Sequence, residues 1–142
     1  MSLPERLARL QLWGMCPAYA VYFALQISLP AWLRTTPERL ALFAAAAAVH
    51  LTVCVVGVAA LRRKRREEGL LADERDRAIE ARATRIAYYL LMTGTVVVGM
   101  VMPFSQGGWK LVNGALLWIV LAEMLRNVLI VRGYRGTPRL AQ

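Results

Sequence analysis

Residues 62–85 read RRKRREEGLLADERDRAIEARATR, and this stretch divides the chain. It carries nine of the 18 Lys and Arg residues in a protein that is otherwise largely apolar. So dense an ionic run has to stay in water. The sequence on either side has the opposite preference. No Asp, Glu, Lys or Arg occurs from Leu10 to Leu33, from Leu40 to Leu61 or from Ile86 to Trp109. A fourth interval, Leu111 to Val131, is apolar apart from Glu123 and Arg126. The intervals are 24, 22, 24 and 21 residues long, and about 20 apolar residues cross the hydrocarbon core as a helix. The composition agrees: 58% of the 142 residues are hydrophobic and the mean hydropathy is +0.43, against roughly 45–50% apolar in soluble domains.

The expected fold is therefore all-α: an integral membrane four-helix bundle, one transmembrane domain over residues 1–142. Its helices should cover about 10–33, 37–61, 86–103 and 111–131, with residues 62–85 a cytoplasmic loop that forms a helical extension between helices 2 and 3. The first apolar interval is longer than a signal-peptide core of ~7–15 residues and lacks a small-x-small cleavage site. Met15 before Cys16 argues against a lipoprotein anchor. Residues 1–33 are accordingly expected to remain in the fold.

Basic residues accumulate on the cytoplasmic side of membrane proteins. Fourteen fall on one side here (two before the first interval, nine in the central run, three after the fourth), and only Arg34, Arg39 and Lys110 on the other. Both termini are expected inside. The same bias accounts for most of the +9 net charge, so direct nucleic-acid binding is not expected. Cys16 and Cys54 lie in the cytoplasmic halves of their helices, where a structural disulfide is not favoured.

Arg62, Arg63, Lys64, Arg65 and Arg66 emerge directly from helix 2. Each cation near an anionic leaflet contributes about 1 kcal/mol of attraction, so lipid headgroups are the expected partner of this run. From Asp73 to Met102 the pattern reads as one continuous helix, with Asp73 as its cap and Ala78, Ala81 and Ala83 favouring helix. Two readings of its cytoplasmic part stay open: a solvated stalk with local ion pairs, or a docking surface for a partner protein. The second would use Asp73, Glu74, Arg75, Asp76, Ile79 and Glu80.

The segment D73-E74-R75-D76-R77-A78-I79-E80-A81-R82-A83 resembles an uncharacterised family of small multi-pass prokaryotic membrane proteins. Their pattern is D-E-R, then Ile four residues after the Arg, then Ala, on the approach to a transmembrane helix; Asp73, Glu74, Arg75, Ile79 and Ala83 match it. The resemblance implies a prokaryotic inner-membrane location and a role as the membrane-bound partner of a small DNA-binding regulator.

Inside the apolar intervals three ionisable side chains stand out: His50, Glu123 and Arg126, with Asn127 beside the last. A charge at the centre of a membrane helix costs at least ~2.5–3.5 kcal/mol. His50 and Glu123 fall at depths only ~3 Å apart, and they can pair if helices 2 and 4 touch. Glu123 can alternatively pair with Arg126 while His50 bonds to a neighbouring carbonyl. The first arrangement makes a polar site for a proton relay or a polar ligand; the second is structural. No metal or cofactor is expected, because the single histidine, even with Cys54 one turn away, does not complete a zinc or haem ligand set. No catalytic constellation is present either. The chain is thus expected to be a non-enzymatic regulatory or scaffolding protein, able to self-associate through small-residue steps such as Ala44 and Ala48. The alternative is a small proton-coupled transporter. It resembles small multidrug exporters in size and helix number, but lacks their acidic residue in helix 1.

Overall fold

Long apolar runs without internal breakers satisfy their backbone groups best as helices, and the computed structural model is helical throughout. It describes residues 3–28, 36–68, 74–105 and 108–135. Four helices carry the chain: α1 (Leu3–Ser28), α2 (Thr36–Glu68), α3 (Glu74–Val96) and α4 (Trp109–Arg135). No strand occurs among the described residues. Residues 29–35, including Trp32, and the turn residue Gly69, the cap Asp73 and the tail 137–142 lie outside the described residues.

Three of the four helices are long and apolar enough to cross a membrane: Pro37–Leu61, Glu74–Phe104 and Trp109–Arg135. α1, the remaining helix, falls short of that measure among the described residues. That helix carries no net-charged residue from Leu10 on, but Gln11, Pro17, Tyr19, Tyr22 and Gln26 dilute its apolar character. Absence of charge is a weaker criterion than hydropathy.

The helix ends also move. α1 begins at Leu3 rather than near residue 10, and Pro17 sits inside it. The early start has two supports: Glu5 accepts from Arg9 at 2.7 Å one turn on, and Ala8 is buried against α3 and α4. α2 starts at Thr36 with Pro37 next and Glu38 in the first turn, a place where proline loses no helical bond. It then continues through the basic run to Glu68, 33 residues or ~50 Å in all. α3 has no break at the membrane boundary. It widens into a π-helical segment, Val97–Val101, where the Met102 N–H bonds the Val97 carbonyl, and closes in a 3-10 turn, Met102–Phe104. Pro103 explains the change: it has no N–H to donate and its ring collides with the carbonyl four residues back. Gly108, at φ +55°, reverses the chain into α4.

Neighbour relations follow the order α2, α1, α4, α3, with no comparable packing between α2 and α3 among the described residues. α4 is the more central of the long helices, with 28% of its most apolar window buried against 6% for α2. One core cluster joins Met15, Tyr19 and Tyr22 of α1 to Leu116 and Val120 of α4, with Phe43 and Ala46 of α2 leaning on it. A second joins Ala8, Ala83 and Ile130 at the charged end of the row. Ala44 and Ala48 are exposed, so that small-residue step is not used within the chain.

Glycine sets the spacing at these interfaces. A Cβ on Gly94 would overlap the Trp118 side chain close to its base, and one on Gly57 would overlap Leu10. Close backbone approach recovers dispersion contacts where no hydrophobic drive separates helix from surroundings. Gly99, by contrast, has open space around it. Gly94→Ala is therefore expected to destabilise the α3–α4 pair by about 1–3 kcal/mol, and Gly99→Ala to stay within about 0.5 kcal/mol, measured by unfolding in mixed detergent micelles. Equal effects of the two substitutions would contradict this packing.

Candidate functional site

His50 projects from the middle of α2 toward α1, where its Nδ1 lies 3.5 Å from the Tyr19 hydroxyl and the two rings meet edge to face with centroids 5.5 Å apart. Glu123 and Arg126 project from α4 one turn apart, Arg126 toward α3. Their ion pair is 3.7 Å long, with the Glu123 side chain about half exposed. The Arg126 Nε also donates to Thr84 of α3 at 3.2 Å. α1 lies between α2 and α4, which do not pack along one another, and no hydrogen bond or ion pair joins His50 to Glu123 among the described residues. Cys54, one turn beyond His50, is the α2 group within electrostatic range of Glu123.

The four polar candidates of the apolar intervals therefore divide. His50 belongs with Tyr19, Glu123 with Arg126 and Thr84, and Asn127 is fully buried with its side-chain carbonyl unpartnered. No cluster of three or more His, Cys, Asp or Glu side chains suited to a metal is found among the described residues.

The charged extension is organised differently from a free stalk. Its Asp76 carboxylate accepts a 2.6 Å hydrogen bond from Tyr134 near the end of α4. Ile79 presses so closely on Gly133 that a Cβ there would approach the Ile79 methyl to 2.7 Å. Ala83 and Ala87 are buried on the same side. These positions, spaced three or four residues apart, make one helical stripe. The other side presents Glu74, Arg75, Arg77, Arg82 and Arg85, all exposed, with Glu80 half-buried between. Of the six partner-binding candidates, Asp76 and Ile79 are thus used within the chain, Glu74 and Arg75 face outward, and Asp73 lies outside the described residues. In the basic run Arg63 is exposed, and the side chains of Arg62, Lys64, Arg65 and Arg66 lie outside the described residues.

Sequence reasoning missed three of the contacts that tie the helices together: Tyr134 to Asp76, Arg126 to Thr84, and Tyr22 to Asn113 at 2.6 Å. For the last there was a signal, since Asn113 is an uncharged polar residue within an apolar interval; a charge-only scan passes over it. No known protein family, curated protein or solved structure matches this chain.

Tyr134→Phe is expected to loosen the outer end of α3. Loss of a hydrogen bond to a carboxylate is worth roughly 1.5 kcal/mol or more, so amide exchange over residues 74–80 should accelerate about tenfold. Unchanged exchange would mean that Ile79 and the alanine stripe hold the segment without that bond.

Proposed function

We propose that this protein is an integral four-helix membrane bundle of the prokaryotic inner membrane, with both termini cytoplasmic, and that it serves as a non-enzymatic scaffold for a partner protein. The observation that carries the proposal is the two-sided character of the α3 extension. One stripe is fixed to α4 through Asp76, Ile79, Ala83 and Ala87, so the opposite face is held in a defined orientation. That face carries one acidic residue, Glu74, against four arginines, Arg75, Arg77, Arg82 and Arg85. A rigid cationic surface favours an acidic partner, mainly by steering encounter and register.

Membrane insertion draws support from the outward surfaces. Trp13 and Ile27 are each 80% exposed and Phe104 is 92% exposed, with Val55, Val56, Met100 and Ile119 in the same condition. Apolar exposure on this scale is tolerated when the surroundings are themselves apolar. The basic end of α2 then meets lipid headgroups on the same side as the partner face. The transporter reading has less behind it, because His50 and Glu123 are engaged by different neighbours.

A photo-crosslinking residue placed at Arg77 in cells is expected to capture a discrete adduct that is lost on charge reversal at Arg75 and Arg82. The same residue at Ile119 should capture none. Adducts at both positions, or at neither, would count against a dedicated protein-docking face. Thiol labelling of Glu74→Cys in a cysteine-free background should occur only after the inner side is made accessible; labelling in intact cells would reverse the orientation.

A further inference from the structure

The end of the molecule opposite the polybasic run holds a cavity of about 380 Å³ between the last turns of α1 and the first turns of α2 and α4. Its polar lining comes from Gln26, Arg39, Trp109, Lys110 and Asn113, with Phe23 forming part of the apolar wall. Two buried donor nitrogens without a hydrogen-bond partner belong to these residues, Arg39 Nε and Trp109 Nε1, while the Gln26 amide lies within hydrogen-bonding reach of Tyr22. Guanidinium and indole nitrogens can only donate. Asn113 has its carbonyl oxygen occupied by the Tyr22 hydroxyl, which leaves its amide protons as the remaining group. No carboxylate lines the cavity among the described residues; Glu38, next to Arg39 in sequence, is exposed.

A buried donor left unmade is costly, and two converging on one cavity, one of them on the charged Arg39 guanidinium, call for an acceptor that is itself negative. The helices add to this. Trp109 and Lys110 are the first two residues of α4, and Arg39 is the fourth of α2. Both helix ends are positive. The cavity is also many times the ~30 Å³ that one water occupies in the liquid, so a single solvent molecule does not fill it.

We propose that this cavity is a binding site for an oxyanion, a phosphate or phosphodiester group, held by Arg39 and Trp109 with Gln26 and Lys110 at its sides. The group can be the headgroup of an anionic phospholipid or a free phosphate, since both present the same acceptor oxygens. The site is separate from the partner-binding proposal and stands or falls without it.

The test uses the full chain in neutral detergent, with Arg39→Gln and Trp109→Phe as variants; the second removes one N–H and keeps the ring. Helical content by circular dichroism checks folding, and if Arg39→Gln fails to fold, Trp109→Phe decides alone. Phosphatidylglycerol retention relative to phosphatidylcholine is read by native mass spectrometry, and inorganic phosphate is titrated against the unfolding temperature. The Arg62–Arg66 run offers anionic lipid a second location, so the decisive quantity is the share that the variants remove. Loss of about tenfold in phosphatidylglycerol preference in the variants assigns a lipid headgroup. A phosphate-dependent rise in unfolding temperature that the variants abolish, without a lipid difference, assigns a free anion. If the variants match the parent in both measurements, the proposal is wrong.

Discussion

Solvent is the constraint on which everything else depends. A helix satisfies its own backbone, so it needs nothing from its surroundings except that they suit its side chains. In this chain the long helices turn most of their apolar side chains outward, and only two small clusters are buried. In water such an arrangement would have little to hold it together. In hydrocarbon the outward face costs nothing, and association falls to close packing and a few polar links. The contacts fit that second regime: Gly94 under Trp118, Gly57 under Leu10, and hydrogen bonds from Tyr22 to Asn113 and from Arg126 to Thr84.

The least apolar helix is the one that other helices use. α1 contacts both α2 and α4. The tyrosines that lower its hydropathy are the residues that form its contacts, Tyr19 with His50 and Tyr22 with Asn113. A helix surrounded on two sides needs fewer lipid-compatible positions. Its polar groups are then assets, because neighbours can satisfy them. The same logic explains why α2, at the edge of the row, is apolar nearly all round through Leu61.

Much of the architecture was legible in the residues. The helix expected from Asp73 to Met102 is continuous over the described residues from Glu74, as α-helix to Val96 and then as a π-helical segment to Val101. What could not be read was adjacency. A helix that is apolar on every side has no periodic stripe to show which face turns inward, so the order α2, α1, α4, α3 was not available from the sequence. A His50–Glu123 pair required helices 2 and 4 to touch, and in the structure His50 turns to Tyr19. The extension shows the reverse case. Charges at Asp76 and Glu80 left a solvated stalk and a docking surface both open, while the apolar members Ile79, Ala83 and Ala87 carried a stripe that the count of charges concealed. The cavity at the opposite end was beyond reach for the same reason: Gln26, Arg39 and Trp109 come from three helices.

The most direct test of the central claim is to ask what touches the outward apolar faces. Spin labels at Val56 on α2 and Met100 on α3, in protein reconstituted into bilayers, report collision with oxygen and with a water-soluble nickel chelate. The account predicts high oxygen and low nickel accessibility at both positions, with the reverse at Glu74. High nickel accessibility at Val56 and Met100 would place those faces in water and contradict it.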